Sequence, residues 1–236
     1  MTEPPGWPRA ALVTGANRGL GHALVTELLE RGVRLVVGTT RSGGDAPAGA
    51  VAVRLDYADA DSIRAAGAEV AAAVDTLDLV VNCGAVNVAP GLPRAESKGP
   101  AGDLSGAALR VLLDVNVVGP ALAAQAFLPL LGPGAVVVNV SSSRGSLALA
   151  SDPGSVGYAV SKAALNMVTR KLAAELAPLG RTAVAVDPGW LRTDMGGDAA
   201  PRSAADAARD LVALLTRSRE TLNGRFVTTG GEDLPW

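Results

Sequence analysis

Short apolar runs alternate along the chain with longer amphipathic stretches. The short runs are rich in Val, Leu and Ala and predict strands at 10–14, 34–38, 51–55, 77–81, 135–140, 182–186 and 225–228. The longer stretches repeat apolar residues at helical spacing, as in Leu20, Leu24 and Leu28, which indicates amphipathic helices. These helices are predicted at about 20–30, 60–74, 104–131, 157–176 and 204–215.

Glycine and proline interrupt this regular pattern in three places. The dipeptide Gly119-Pro120 is expected to bend or break the helix at 104–131, because proline removes an intrahelical hydrogen bond. Segments 41–49 and 87–102 are rich in Gly and Pro and are predicted to be loops.

The predicted strands are continuous apolar runs, which indicates burial on both faces of a sheet. Helices between successive strands then predict an α/β fold: a doubly wound parallel sheet of about seven strands with helices on both faces, a Rossmann fold. The chain has 236 residues, and no repeat or linker divides it. Because single α/β domains of about 200–250 residues are common, residues 1–236 are expected to form one domain.

Composition excludes several classes of protein. Hydrophobic residues make up 48% of the chain and charged residues 19%, which excludes wholesale disorder. Cys83 is the only cysteine and His22 the only histidine, so we expect neither a disulfide framework nor a metal centre. The net charge of −2 includes no basic stripe that would bind nucleic acid.

The sequence also indicates where the protein works. Segment 1–8 is Pro-rich, contains Glu3, and lacks the basic start and apolar stretch of a signal peptide. No uninterrupted apolar run reaches the roughly 18 residues of a membrane span. We therefore expect a cytoplasmic protein without a membrane partner.

A glycine-rich turn follows the first predicted strand. Residues 15–21 read Gly-Ala-Asn-Arg-Gly-Leu-Gly and lead directly into a predicted helix. Glycines allow a tight turn and let backbone N–H groups approach a pyrophosphate at the helix N-terminus. The spacing differs from the usual Gly-x-Gly-x-x-Gly, and an ordinary Gly-rich turn is the alternative. The order of strand, turn and helix favours a dinucleotide site.

Tyr158 and Lys162 are four residues apart in a predicted helix, so both project from one face. A nearby ammonium favours the phenolate and lowers the pKa of a tyrosine, which suits general acid–base catalysis. The alternative is a buried tyrosine beside an exposed lysine. The strand at 135–140 ends in Ser141–Ser143, at the sheet edge where ligands bind, although serine-rich turns are also common after strands.

In this order, the motifs resemble those of the short-chain dehydrogenase/reductase family over essentially the whole chain. The segment 188–197 and the ending 234–236 resemble the small carbonyl-reductase-like (sniffer type) branch of that family. The family motifs are matched by Thr14-Gly15-x-x-x-Gly19-x-Gly21, Asn116, Ser141–Ser143, Tyr158-x-x-x-Lys162 and Pro188-Gly189.

The resemblance implies a role for each catalytic residue. Tyr158 is the proton donor in reduction, or the base in oxidation. Lys162 binds the cofactor ribose and lowers the pKa of Tyr158. Ser142 is the catalytic serine, with Ser143 as the alternative, and Asn116 supports a water relay to the lysine.

The resemblance also implies a cofactor site and an assembly. A homodimer or homotetramer would form through the two long helices. The residues implied to bind the cofactor are Gly15, Asn17, Arg18, Gly19, Leu20, Gly21, Arg41, Asp56, Tyr57, Asn82, Gly84, Tyr158, Lys162, Pro188, Gly189, Leu191 and Thr193.

Three positions depart from the family pattern. Cys83 replaces a structural asparagine, and we expect a buried, inert thiol there rather than a nucleophile. Ser142 precedes Tyr158 by more than the usual spacing, and the excess at 150–154 predicts a loop insertion over the substrate mouth. Asp187 stands where this branch often has histidine, and no role is predicted for it.

The end of the second strand favours NADP(H) as the cofactor. The residues there are Gly-Thr-Thr-Arg, without the carboxylate that selects NAD, and Arg41 and Arg18 would face the 2′-phosphate. The predicted function is NADPH-dependent reduction of an aldehyde, ketone or quinone, a small-molecule carbonyl substrate. The alternatives are a catalytically silent NADP-binding sensor or interaction protein, and a biosynthetic dehydrogenase that oxidises an alcohol. Trp190, Met195 and the loop from Val86 to Pro100 are expected to shape the substrate pocket, with a core position as the alternative for Trp190. Trp236 is expected to pack against the body of the protein.

Overall fold

The computed structural model describes residues 7–236. Seven strands form one parallel sheet in the order β3-β2-β1-β4-β5-β6-β9, and β7 and β8 pair with each other. This confirms the predicted α/β fold. The strands are β1 (Ala10–Thr14), β2 (Leu35–Thr40), β3 (Val51–Arg54), β4 (Leu77–Asn82), β5 (Leu131–Val140), β6 (Thr182–Asp187), β7 (Leu191–Arg192), β8 (Arg202–Ser203) and β9 (Phe226–Thr228).

Helices cover both faces of the sheet. One face is packed against α1 and α7, and the other against α2, α5 and α6. The helices are α1 (Gly19–Glu30), α2 (Ala60–Ala73), α3 (Ala95–Lys98), α4 (Gly106–Leu113), α5 (Gly119–Phe127), α6 (Val156–Leu176) and α7 (Ala204–Ser218).

The middle strand β5 shows why its sequence is apolar without interruption. Val136 and Val138 are buried in the cluster that contains α1 and α7, whereas Val137 is buried in the cluster on the opposite face. Successive side chains of a strand point to opposite faces, so both faces of β5 require apolar residues. Each such burial contributes about 1.5–3 kcal/mol of transfer free energy.

The long predicted helix is irregular just before the expected dipeptide. A π-helical turn at Asp114–Val118 joins α4 to α5, and Pro120 lies in the first turn of α5. Val118 and Gly119 keep right-handed helical dihedrals, so the chain stays helical up to Pro120. The predicted disturbance near Gly119-Pro120 is therefore a π turn within one helical stretch rather than a break.

The segment predicted as a loop at 87–102 contains a short helix, so that part of the prediction is wrong. The helix α3 has four residues, and a 3-10 turn at Ala101–Asp103 follows it. Ser97 is buried and its Oγ accepts a hydrogen bond of 3.0 Å from the Ala89 N–H. This bond closes the loop on itself and orients α3.

One helical stretch, Gly106–Leu130, is long and apolar enough to span a membrane by length and composition alone, although no uninterrupted apolar run is that long. Within the fold, α4 packs against α6, and α5 packs against α2. α5 also contacts β4 and β5, so this helical stretch belongs to the layer of helices that covers the sheet.

The strand order reverses direction at β1, which pairs with β2 on one side and β4 on the other. A crevice forms at such a switch point, outside the carboxyl ends of the strands. The turns after β1 and β4 meet there, because a Cβ on Gly15 would lie 2.9 Å from the Gly84 Cα. The fold therefore brings the glycine turn next to the end of β4.

Candidate active site

A cavity of about 1090 Å³ runs along the carboxyl edge of the sheet. Asn82 and Asn116 do not line it, although both were predicted to be site residues. The predicted residues that line it are Gly15, Asn17, Arg18, Gly19, Leu20, Gly21, Arg41, Asp56, Tyr57, Gly84, Ser142, Tyr158, Lys162, Pro188, Gly189, Leu191 and Thr193.

The glycine turn has the geometry of an anion cradle. Gly15 and Gly19 have φ values of +68° and +55°, a region that glycine occupies without strain. A Cβ at Gly21 would lie 2.2 Å from the Gly15 carbonyl oxygen, so only glycine fits. Helix α1 has no side-chain cap from Arg18, which leaves first-turn N–H groups free for a phosphate. These residues fit the pyrophosphate of a dinucleotide.

A buried hydrogen-bond network holds the end of β4 against this turn. Thr14 Oγ1 accepts from the N–H groups of Cys83 and Gly84, at 2.9 and 3.2 Å, and bonds to the Tyr57 hydroxyl at 2.7 Å. Tyr57 donates to Asn82 Oδ1 at 2.9 Å. Burial raises the pKa of the Tyr57 phenol, which therefore stays protonated.

This network gives two predicted site residues structural contacts, while their binding of the cofactor stays a prediction. Asn82 is 2% exposed, and its Nδ2 donates to Asn139 Oδ1 at 2.8 Å, so its amide supports the sheet edge from inside. Tyr57 lines the cavity with its ring, but its hydroxyl is committed to Thr14 and Asn82. In the sequence, a buried hydrogen-bond network of this kind would be indicated by several polar residues at the ends of apolar strands.

Tyr158, Lys162 and Ser142 come together as the spacing predicts. Both members of the pair lie on α6, with Lys162 Nζ 5.6 Å from the centre of the Tyr158 ring. Lys162 is buried and its Nζ donates to the Val140 carbonyl at 2.8 Å. Ser142 Oγ accepts from the Arg144 N–H at 3.2 Å, which orients the serine at the end of β5.

Burial shifts the pKa values of both Tyr158 and Lys162. Burial raises the pKa of Tyr158 to about 12, helped by the Asp187 carboxylate, and hydrogen bonding to Ser142 only partly offsets this. Burial lowers the pKa of Lys162 to about 8. Desolvation therefore dominates the pKa of Tyr158 in this arrangement, and the lowering of that pKa by Lys162 stays a prediction.

Asn116 lies in the π turn and is completely buried. Its Oδ1 accepts from the Val86 N–H at 2.9 Å, and its Nδ2 donates to the Val86 carbonyl at 2.7 Å and to Ser161 Oγ at 3.0 Å. Ser161 in turn donates to the Tyr158 carbonyl at 2.7 Å. The side chain thus links the loop after β4 to α6, and its part in a water relay stays a prediction.

The two arginines at the predicted 2′-phosphate site differ in their contacts. Arg41 is exposed at the end of β2 and lines the cavity. Arg18 Nη1 instead forms an ion pair of 2.7 Å with Asp194 Oδ2. Asp45 also lines the cavity, three residues from Ser42, whose Oγ donates to it at 3.3 Å; sequence analysis missed this carboxylate.

The residues after β6 close the cavity on its other side. The Gly189 N–H donates to Asp187 Oδ1 at 3.0 Å, so Asp187 orients the turn. Trp190 is 57% exposed, and its Nε1 donates to the Gly196 carbonyl at 2.9 Å. Trp190 and Met195 line the cavity, as expected of substrate-pocket residues.

Cys83 lines the cavity near Lys162 but is not activated. Burial raises the pKa of its thiol to about 12, and the Lys162 ammonium opposes this shift only partly. A thiolate is needed for nucleophilic attack, so the raised pKa agrees with the expected inert thiol, although Cys83 is half-buried rather than buried as expected.

Comparisons with known proteins identify the family of this chain. The family model described as short chain dehydrogenase matches residues 9–204. The cis-4-hydroxycyclohexanecarboxylate dehydrogenase of Sinomonas cyclohexanicum is 35% identical over 225 residues, which are 90% of this chain and 85% of that protein.

Two solved structures share the whole architecture. The carbonyl reductase Sniffer of D. melanogaster superposes with a TM-score of 0.84 at 27% identity, covering 97% of this chain and 99% of that one. The NADPH-bound carbonyl reductase from chicken fatty liver has a TM-score of 0.83 at 29% identity, with the same coverage of 97% and 99%. The chain therefore belongs to the short-chain dehydrogenase/reductase family.

Proposed function

We propose that this oxidoreductase reduces the carbonyl group of an aldehyde, ketone or quinone with NADPH, and that Tyr158 is the proton donor. The observation that carries the proposal is the shared cavity of Tyr158, Ser142 and Lys162, in which Lys162 Nζ lies 5.6 Å from the centre of the Tyr158 ring. At neutral pH this phenol holds the proton that a developing alkoxide needs.

Ser142, Tyr158 and Lys162 have different roles in the proposed reduction. The hydroxyls of Ser142 and Tyr158 hold the carbonyl oxygen by hydrogen bonds that strengthen as negative charge develops there. Lys162 places its amino group beside the Tyr158 ring and stabilises the phenolate once the proton has left. When bound, the nicotinamide supplies the hydride that reduces the carbonyl carbon.

Several features support NADPH as the cofactor. The glycine turn and the uncapped start of α1 suit the pyrophosphate. Arg41 makes no ion pair among residues 7–236 and is available to a 2′-phosphate. Arg18 joins it only after release from Asp194. The chicken carbonyl reductase, with NADPH bound, supports the same choice.

The joint presence of Ser142, Tyr158 and Lys162 in one cavity favours an enzyme over a silent NADP-binding sensor.

Exposed apolar side chains support the expected homo-oligomer. Val118 precedes α5, and Val160 and Met167 lie on α6, all of them exposed. These are the two long helical regions through which assembly is proposed.

The test measures consumption of NADPH and NADH with a panel of aldehydes, ketones and quinones. We expect turnover with NADPH, and we expect Tyr158→Phe to lower kcat by about 10²–10⁴-fold while NADPH binds as before. Lys171→Gln is the control on the same helix, because Lys171 is exposed and does not line the cavity, and it should leave kcat unchanged. Unchanged kcat in Tyr158→Phe contradicts the proposal, and NADPH binding without turnover of any carbonyl supports the sensor.

A further inference from the structure

Three basic side chains line the cavity that contains Tyr158, and the sequence predicted no individual role for any of them. Arg94 immediately precedes α3, Lys98 is the last residue of α3, and Arg144 follows Ser142 by two positions. All three share the cavity with the Tyr158 phenol.

The structure fixes Lys98 next to the start of α6. The Ser155 N–H donates to the Lys98 carbonyl at 2.9 Å, and α3 packs against α6. Since Tyr158 lies in the first turn of α6, this bond sets the distance between the basic helix and the proton donor. The hydrogen bond between Ser97 and Ala89 holds α3 from its other side.

The positive charge of this group is only partly neutralised. Arg144 Nη1 bonds to both carboxylate oxygens of Asp152, at 3.1 and 3.0 Å. Arg94 and Lys98 form no ion pair within the described range 7–236. Glu96 lies between them in α3 but does not line the cavity.

The cations also repel one another. Burial and the charges of Arg94 and Arg144 lower the pKa of Lys98. A bound anion would relieve this repulsion and form charge-assisted hydrogen bonds to the basic side chains. The acidic residue near the reaction centre, Asp187, is engaged by the Gly189 N–H.

We propose that Lys98 and Arg94 bind a carboxylate of the substrate, so that the carbonyl compounds this protein reduces are oxo acids. The inference rests on the proposed carbonyl reduction at Tyr158 and names its substrate class. Lys98 and Arg94 act as specificity determinants, because they contact a group distant from the reacting carbonyl.

The test compares oxo acids with their methyl esters, in a series that varies the distance between carbonyl and carboxylate. We expect kcat/KM for at least one acid to exceed that for its ester by about tenfold or more, and added salt to reduce this ratio. Lys98→Gln and Arg94→Gln should each lower the acid-to-ester ratio about tenfold. Arg64→Gln on α2, outside the cavity, should leave the ratio unchanged.

Melting temperature and NADPH affinity are measured for each variant. Because Arg94 is exposed, Arg94→Gln still tests the proposal if Lys98→Gln does not fold. Esters reduced as well as every acid, or a ratio unchanged in both variants, would overturn the anion site but leave the proposed reductase intact. If neither the acids nor their esters are turned over while another carbonyl of the panel is, the oxo-acid assignment is overturned, and if no carbonyl of the panel is turned over, the proposed function fails. Calorimetric titration of the oxo acids into NADPH-saturated protein then decides the anion site: acid binding that weakens in Lys98→Gln supports it, and no acid binding overturns it.

Discussion

Lys162 is a buried amine whose pKa differs from those of the neighbouring titratable groups. Burial lowers its pKa to about 8, whereas burial raises the pKa of the neighbouring Cys83 and Tyr158 to about 12. Near pH 8, therefore, the Lys162 amine titrates while those two groups keep their protons. Burial thus makes the amine the pH-sensitive member of this group.

The affinity for NADPH should weaken about tenfold as the pH rises through about 8, because a neutral amine binds ribose hydroxyls less strongly than an ammonium. Fluorescence titration of NADPH on both sides of pH 8 measures this change. Lys162→Met is the control and should give a flat, weaker profile. A wild-type affinity that is constant through this range would show that the ammonium does not hold the cofactor.

At the scale of elements, the glycine turn at 15–21 leaves no room for a side chain at Gly21, in the first turn of α1. A Cβ at Gly21 would meet the Gly15 carbonyl oxygen at 2.2 Å, a contact with backbone that no rotamer change relieves. We expect Gly21→Ala to weaken NADPH binding at least about tenfold and to lower the melting temperature. Gly102→Ala is the matched control, since a Cβ there meets nothing within 4 Å. Equal NADPH affinity in both variants would contradict a cofactor cradle at this turn.

Elements with a strong local pattern were predictable from the sequence, and those held by distant contacts were not. The strands of the large sheet are marked by apolar runs and the turn at 15–21 by its glycines, and both signals lie within a few neighbouring residues. Helix α3 has only four residues, too few for a helical period, and it is placed by a bond from Ser155. The basic side chains Arg94 and Lys98 therefore reach the cavity through packing that the sequence does not display.

The same distinction holds within the site. Tyr158 and Lys162 share a helix face, so their spacing in the sequence predicts that their side chains lie close together. Asn82 pairs instead with Asn139 on the neighbouring strand, which depends on the register of β4 and β5. Desolvation of Tyr158 likewise depends on the whole fold around it, and the direction of its pKa shift could not be predicted from spacing.

For the molecule as a whole, the last residue joins three distant parts of the chain. The Trp236 ring packs against Phe226 of β9 in a tilted arrangement at a centroid distance of 5.4 Å, and the Arg170 guanidinium of α6 lies 5.4 Å from the Trp236 ring centre. The Ala148 N–H, in the loop between β5 and α6, donates to the Trp236 carbonyl at 3.1 Å. This confirms the expectation that Trp236 packs against the body of the protein.

Trp236→Ala should therefore destabilise the whole fold rather than one loop. Removing a core tryptophan costs about 3–5 kcal/mol, and a partly exposed ring about half of that, so we expect a loss of about 2 kcal/mol. In a chain of this length, such a loss lowers Tm by about 4–8 °C. Trp190→Ala is the matched control, because that ring is 57% exposed and its loss should lower Tm by less. Thermal unfolding followed by circular dichroism measures both variants, and an equal Tm for Trp236→Ala and the wild type would mean that the contacts to Phe226 and Arg170 do not stabilise the fold.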